Sequence, residues 1–166
     1  MKKLLLLAAV AVTILAVPPK TIAQIPVWTT ACSAGATIQK IDLASYSVVN
    51  NYLTFAAGKT GDVVARYNVT NVTGVPMPLW TTLQLGYYDI DVNTKVTATL
   101  YQLDPCENVV MPICGPVTSN DDGDNCVTCQ FPAGAIDFNT KVYWVDVIIN
   151  RTATGQVVRA ESLRIY

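Results

Sequence analysis

The side chains that could carry out chemistry in this chain are carboxylates and thiols, because the sequence contains no histidine. Without an imidazole, Ser-His-Asp and Cys-His catalysis and the usual histidine ligands of zinc are excluded. Two carboxylate pairs remain candidates for glycoside hydrolysis, Asp89 with Asp91 and Glu107 with Glu161. Asp89 and Asp91 fall in a predicted turn, where Asp is common because its side chain bonds the local main chain. We therefore favour a structural role for these residues and predict no catalytic residue and no enzyme.

The cysteines are the second reactive group, and all of them are candidates for disulfides: Cys32, Cys106, Cys114, Cys126 and Cys129. Spacing alone does not determine the pairing. We interpret one bridge as Cys106 to Cys114 and a second as involving Cys126 or Cys129. The odd residue, Cys32, is then buried, bridged to the cluster while another cysteine is left free, or used between chains. Cys126-Val-Thr-Cys129 also has the spacing of a redox motif or half a zinc site, but no βαβ pattern surrounds it, so a structural disulfide is favoured.

The polar run from Asn120 to Asn125 places hard oxygen ligands around a glycine, as calcium loops do. Its candidate ligands are Asp121, Asp122 and Asp124. The run through Cys126 resembles the Asp-rich segments that end in Asp-Asn-Cys in thrombospondin-type calcium repeats. However, the repeated Asp-x-Asp-x-Asp-Gly spacing and the distant bidentate Glu of a helical calcium loop are missing, so we favour a solvated turn over a calcium site.

Three tripeptides match the acceptor pattern for N-glycosylation, and they begin at Asn68, Asn71 and Asn150. Such tripeptides arise by chance in a chain rich in Asn and Thr. The bacterial character of the N-terminal segment also argues against this modification, so the three sites are weak candidates.

The start of the chain predicts export. Two lysines follow Met1, the stretch from Leu4 to Val17 is mostly apolar, and Ala23 supplies the small residue that precedes a cleavage point. This is the pattern of a signal peptide over residues 1–23. The apolar stretch is short for a membrane span, which needs about 20 residues. We expect a mature chain, 24–166, without a membrane span, secreted to the exterior or cell surface, with the periplasm as an alternative.

The composition of the mature chain indicates one β-rich domain. Acidic residues outnumber basic ones once the lysines of the signal peptide are removed. A basic patch for nucleic acid is therefore not expected. Charged residues make up only 14% of the whole chain, and hydrophobic ones 51%, which excludes a disordered protein.

Alternating apolar residues predict about seven to nine strands and no amphipathic helix. The clearest strand runs from Lys141 to Asn150, with Tyr143, Val145, Val147 and Ile149 on one face. A Gly-containing turn separates it from the run 157–166, so the two runs are predicted to form an antiparallel hairpin.

Residues 104–132 depart from this pattern because they combine prolines, four cysteines and the acidic run. Connections are typically about 4–6 residues long, so we predict a disulfide-stapled loop insertion, with a small hairpin, projecting from one end of the domain. The predicted fold is all-β: an antiparallel two-sheet β-sandwich, jelly-roll or immunoglobulin-like, that carries this insertion in a single domain, 24–166.

Two functions fit these expectations. The first is a non-catalytic extracellular structural or adhesion protein, a homo-oligomeric subunit of a surface layer or filament whose N-terminal segment, 24–30, adds to a neighbour's sheet edge. The second is a carbohydrate- or ligand-binding module, with calcium as an optional cofactor and specificity carried by the loop 104–132. Trp28, Trp80, Trp144 and the eight tyrosines could offer a platform for sugar rings, although packing in the core or across strands is the reading we favour. A carboxylate hydrolase ranks third.

Overall fold

The computed structural model describes residues 26–37, 44–120 and 122–166, so the predicted signal peptide and its cleavage point lie outside the described residues. Within these ranges, no helix is long and apolar enough to cross a membrane. The described chain is made of strands and one 3₁₀-helix (Cys32–Ala34): β1 (Trp28–Ala31), β2 (Ala36–Thr37), β3 (Tyr46–Val49), β4 (Tyr52–Phe55), β5 (Gly61–Val69), β6 (Thr82–Asp89), β7 (Thr94–Asp104), β8 (Val109–Thr118), β9 (Gly123–Gln130), β10 (Val142–Arg151) and β11 (Val158–Ile165).

These strands form two antiparallel sheets that pack face to face, which confirms the predicted β-sandwich. Sheet A has the order β3-β4-β11-β6-β9, and β1 also pairs with β11. Sheet B has the order β2-β5-β10-β7-β8. The two sheets bury a common core between them, so each strand is apolar on its inner face and faces solvent on the other.

The core is formed by the alternation that the sequence shows. On β10, Tyr143, Val145, Val147 and Ile149 all point inward and are buried. The strand pairs with β5 on one side and β7 on the other, so the prediction that it is a central strand is confirmed. Period-two patterns on both neighbours fill the same layer, because successive strand residues point to opposite faces.

The predicted hairpin between the last two strands is wrong. β10 lies in sheet B, whereas β11 lies in sheet A and pairs with β1, β4 and β6. Alternation shows which face of a strand is buried, but it does not show which strand lies beside it. The short connection 152–157 therefore crosses from one sheet to the other instead of folding a strand back on its neighbour.

Arg151 holds this crossing in place. Its guanidinium donates hydrogen bonds to the main-chain carbonyls of Lys59 (2.6 Å), Ala56 (3.0 Å) and Gln156 (3.1 Å), and lies 4.6 Å from the centre of the Phe55 ring. The side chain is buried, and desolvation lowers its pKa. One buried cation thus binds main-chain groups on both sides of the turn between the sheets.

Residues 104–132, predicted to be an inserted loop, mostly form two long strands. β8 is the edge strand of sheet B beside β7, and β9 is the edge strand of sheet A beside β6. Because they belong to different sheets, they do not form the predicted small hairpin. The prolines and polar residues that suggested a loop are those that an edge strand tolerates, since one side of its main chain needs no partner.

The disulfide joins Cys114 to Cys129, with 5.9 Å between their Cα atoms. Our pairing of Cys106 with Cys114 is therefore wrong, because Cys114 lies on the inner side of β8 opposite Leu100, while Cys106 lies in the turn that precedes β8. The bridge ties the edge of sheet B to the edge of sheet A. Cys106 and Cys126 are free and exposed.

Cys32 is also free, but it is buried, which is one of the three alternatives that the sequence left open. Desolvation raises the pKa of its thiol to about 12. Its carbonyl accepts a hydrogen bond from the Tyr67 hydroxyl at 2.6 Å, where the chain passes from β1 in sheet A to β2 in sheet B. The tyrosine therefore fixes the N-terminal crossing between the sheets.

We expect Arg151→Met to lower the free energy of unfolding by about 2–4 kcal/mol, because it leaves three main-chain carbonyls without their donor. The measurement is urea unfolding followed by tryptophan fluorescence. Arg164→Met is the matched control, since Arg164 is exposed on β11, and we expect a change within about 0.5 kcal/mol. Equal losses in the two variants would contradict the role given to Arg151.

Candidate functional site

The outer face of sheet A contains an open groove with a volume of about 530 Å³. It lies between β1, the turn that joins β3 to β4, and the outward side chains of β11. The groove is lined by residues that offer hydrogen-bond donors and acceptors together with one aromatic ring: Thr29, Thr30, Ala31, Asn50, Asn51, Tyr52, Arg159, Glu161 and Ser162.

A β-bulge in β11 gives this face its polar residues. The register between β11 and β6 shifts between Ala160 and Ser162, so Glu161 has no partner on β6. A bulge adds a residue to one strand and redirects the side chains around it. Gly86 of β6 leaves room for the Ser162 side chain beside the bulge. A Cβ at position 86 would lie only 2.5 Å from the Ser162 hydroxyl, so a larger residue there would clash.

The turn between β3 and β4 forms one wall of the groove. Asn50 has a φ of 53°, a left-handed conformation that asparagine adopts more readily than most residues. The carbonyl of Asn51 accepts a hydrogen bond of 3.4 Å from the Ser33 main-chain N–H. The turn is therefore held against the N-terminal segment, and its amide side chains line the groove.

Arg159 is the centre of the site. Its guanidinium lies 4.8 Å from the centre of the Tyr52 ring and 4.5 Å from that of the Tyr88 ring. It donates hydrogen bonds to Glu161 (2.7 Å) and Asp124 (3.2 Å). The hydrogen bond to Glu161 raises the arginine pKa, so the cation persists over the working pH range. Four strands thus contribute to one cluster of rings and charges.

This arrangement can recognise a polar ligand that also has an apolar face. The tyrosine rings present apolar surface and a hydroxyl tip, which suits a partner that is partly hydrophobic and partly hydrated. The asparagine amides, the threonine and serine hydroxyls and the Glu161 carboxylate add donors and acceptors in fixed positions. A concave site with a few convergent polar groups is the usual form of a small-ligand site.

The outer face of sheet B is already covered by its own side chains. Trp144 stacks on Tyr101 with 5.7 Å between ring centres, and the Arg66 guanidinium lies 4.5 Å from the centre of the Trp144 ring. Asp146 accepts two hydrogen bonds of 2.7 Å from Arg66. Because Trp144 is only 8% exposed, its ring is not an open platform.

The other two tryptophans belong to the core, as we favoured from the sequence. Trp28 and Trp80 are 5% and 0% exposed, and the Trp80 indole N–H donates to the Pro26 carbonyl at 2.7 Å. The aromatic residue that lines the groove is instead Tyr52, and Tyr88 contacts the same Arg159 guanidinium.

The carboxylate pairs considered from the sequence do not line a common cleft. Asp89 is fully buried and accepts hydrogen bonds from the hydroxyls of Thr94 and Ser119. Asp91 lies in the exposed turn that follows, where the Asn93 main-chain N–H lowers its pKa. Asp89 thus links the ends of β6, β7 and β8, which is the structural role we favoured.

The second pair is separated between the two sheets. Glu107 lies in the turn between β7 and β8 of sheet B, whereas Glu161 lies on the outer face of sheet A. Glu161 accepts its hydrogen bond from Arg159, as described above. The carboxylate that the structure brings close to Glu161 is Asp124, through their common arginine.

We expect Asp89→Ala to lower the free energy of unfolding by about 2–4 kcal/mol, because two buried hydroxyl groups lose their acceptor. The measurement is urea unfolding. Asp91→Ala, in the exposed turn beside it, should cost no more than about 1 kcal/mol. A large loss from the partly exposed Asp91 and none from the buried Asp89 would contradict this assignment.

The predicted calcium ligands are partly engaged with protein donors. Asp122 accepts a hydrogen bond of 3.0 Å from the Tyr87 hydroxyl and another from the Asn125 amide, and desolvation together with Asp122 raises the Tyr87 pKa. Asp124 is paired with Arg159. Asp121 lies outside the described residues, and within those residues no cluster of three or more metal-ligating side chains is found. A calcium site stays a prediction.

The three glycosylation candidates lie on different parts of the sandwich. Asn68 is exposed on β5, and Asn71 is exposed in the following loop, where it accepts a hydrogen bond from Thr73 at 2.8 Å. Asn150, at the end of β10, donates to the side chain of Asp62. Modification of these residues stays a prediction.

Sequence reasoning missed most of the groove. Tyr52 and Tyr88 entered only as members of the set of eight tyrosines, Arg159 was not considered, and Glu161 was paired with the distant Glu107. The available signal was the alternation in β11, which places Arg159 and Glu161 on the face opposite the buried Ala160.

No family model matches the sequence, and no curated protein matches it. Among solved structures, the chain is similar to one described as the structural basis for the promiscuous specificity of carbohydrate-binding modules from the β-sandwich superfamily. The identity is 11% and the TM-score 0.42, over 84% of this chain and 54% of that one. The chain therefore spans about half the length of that structure's chain.

Proposed function

We propose that this protein is a secreted, non-catalytic β-sandwich protein that binds carbohydrate at the groove on sheet A. The observation that carries the proposal is the Arg159 guanidinium held between the rings of Tyr52 and Tyr88 at the side of an open cavity. Sugar rings combine apolar C–H faces with hydroxyl groups, and this groove offers both kinds of partner.

The polar groups at the groove favour binding over bond cleavage. The Glu161 carboxylate is neutralised by Arg159, which also engages Asp124. Hydrolysis of a glycosidic bond uses a pair of carboxylates, and Glu161 is the one carboxylate among the described residues that line the groove. The proposal therefore assigns Glu161 to hydrogen bonding with ligand hydroxyls and to positioning Arg159.

Export of the protein is part of the proposal. The signal-peptide pattern of residues 1–23 supports it, as does the Cys114–Cys129 disulfide, because such bonds persist in oxidising compartments. A protein at the cell surface that binds glycans would also act as an adhesion protein, which joins the two functions considered from the sequence.

Assembly of a structural subunit by adding the N-terminal segment to a neighbour's sheet has less support than carbohydrate binding. The segment 24–30, expected to join a neighbour's sheet, includes Trp28 to Thr30 of β1, and the four residues of β1 pair with Ile165 to Ser162 of the same chain. Donation of these residues to another copy would first require breaking four residue pairs within the chain. Assembly into a filament or layer therefore needs another edge.

The test is affinity electrophoresis of the exported protein in gels containing soluble glucan, xylan, mannan, galactan or pectin, with calcium and with chelator. We expect at least one polysaccharide to retard the protein. Tyr52→Ala should weaken that binding at least about tenfold, because it removes the ring that lines the groove. Arg159→Met should do the same by removing the charged centre.

Tyr101→Ala is the matched control, since it removes a partly exposed tyrosine from the opposite sheet. Its binding should stay within about twofold of the unmodified protein, and the thermal unfolding midpoint of each variant reports whether its fold is intact. The proposal fails if no polysaccharide retards the protein, or if Tyr101→Ala weakens binding as much as Tyr52→Ala.

A further inference from the structure

The edge strands of the described sandwich differ in how well they resist pairing with another chain. β2 has two residues, and β1 and β3 have four each, so each offers little main chain for pairing. β8 is longer, but it contains Pro112 and Pro116, which cannot donate. β9 has eight residues and no proline. Exposed edges without such protection are templates for strand addition, so β9 is the open edge.

The free hydrogen-bonding groups of β9 can be assigned from its register. The main-chain N–H of Phe131 donates to the Thr81 carbonyl at 2.8 Å, directly beyond the pair Gln130 and Thr82. Since these groups alternate along a strand, odd-numbered residues of β9 face β6 and even-numbered residues face away. This assignment agrees with the bond made by Cys126, an even-numbered residue: its N–H donates to the Asn125 side chain of its own strand, at 2.7 Å, instead of to β6.

An exposed thiol lies in the middle of this edge. Cys126 is free, exposed and opposite Gly86, so no side chain of that partner residue covers it. A Cβ built on Gly86 would lie 3.8 Å from the Cys126 sulfur, which places the thiol on the outer face of sheet A. Cys129 on the same strand is already in a disulfide, so the strand forms under conditions in which thiols are oxidised.

We propose that β9 pairs antiparallel with β9 of a second copy of this chain, with Cys126 opposite the same cysteine of that copy and bonded to it. Even-numbered residues then face each other across the new edge, because their N–H and carbonyl groups point away from β6; the Cys126 N–H exchanges its bond to the Asn125 side chain for one to the second copy. Directly opposite residues in such a hydrogen-bonded pair have Cα atoms about 5.5 Å apart, within the range of disulfides, about 4.4–6.8 Å. Their Cβ atoms are about 5.5 Å apart in a regular pair, so the two strands must approach locally until the Cβ atoms are about 4.5 Å apart for the bond to close.

The charges of β9 favour this register. With Cys126 at the two-fold axis, Asp124 faces Thr128 of the second copy, and Asp122 faces Gln130. A register centred two residues earlier would place Asp124 opposite Asp124, and like charges directly across a strand pair are destabilising. The centred register therefore brings no two carboxylates into direct opposition along the strand.

The covalent step is a thiol–disulfide exchange. The disulfide of a thiol oxidase in the exporting compartment is attacked by one Cys126 thiolate, and the mixed disulfide is then attacked by the thiolate of the other copy. One sulfur–sulfur bond forms between the copies and the oxidant's bond breaks. Its two sulfurs leave as thiols, which carry away the two electrons and two protons.

The test is size-exclusion chromatography with light scattering and non-reducing electrophoresis of the exported full chain. We expect a dimer that is covalent without reductant. Cys126→Ser should abolish the covalent dimer, whereas Cys106→Ser, which removes the other exposed thiol, should leave it unchanged. A monomeric unmodified protein, or a covalent dimer that depends on Cys106, overturns the proposal.

Two further substitutions test strand pairing separately from the thiol. Thr128→Pro removes an N–H that points away from β6 and breaks no bond to β6, so we expect the edge strand to tolerate it. Because the second copy loses a hydrogen-bond donor, the dimer fraction should fall at least about tenfold. Thr128→Asp should also lower it, because the new charge faces Asp124 of the second copy, whereas Thr128→Lys should preserve it. Equal dimer fractions in the Asp and Lys variants overturn the register.

Discussion

The crossing between the two sheets at Arg151 is the constraint on which the rest of the structure depends. A buried guanidinium binds three main-chain carbonyls there. A polar group that loses water without gaining a partner is costly in a protein interior, and the guanidinium supplies a partner to each of these carbonyls. Because the chain leaves sheet B at this point, β11 becomes the centre of sheet A, and the bulge that carries Glu161 and Ser162 faces outward beside β1 and β4.

The N-terminal crossing uses the same principle with a neutral group. The Tyr67 hydroxyl binds the Cys32 carbonyl, and Gly35 lies so close to the tyrosine ring that a Cβ there would be 2.3 Å from it. At the opposite side of the sandwich, the Cys114–Cys129 disulfide joins the two edge strands. Two of the crossings between the sheets are thus held by buried polar side chains, and a disulfide bridges the sheets at their edge strands.

The groove and the β9 edge lie on the same sheet, and this links the two proposals. The two-fold axis of a β9 pair would run perpendicular to the sheet, so both copies would present their grooves on the same side of one continuous sheet. Two sites that engage one polysaccharide gain avidity through their effective concentration. A weak site on each copy would then suffice for attachment to a surface that repeats the same sugar.

The sequence by itself determined the fold class, the central strand β10 and the face of that strand that is buried, because alternation records which side of a strand is buried. It did not determine partners: β10 and β11 read as a hairpin, and 104–132 as a loop. Only the tertiary structure decided these, since strand pairing and edge position depend on distant residues. Only the tertiary structure decided the cluster beside the groove, where Tyr52, Tyr88 and Arg159 meet across three strands far apart in sequence. The Cys114–Cys129 bridge was likewise decided by which edge strands the fold brings together.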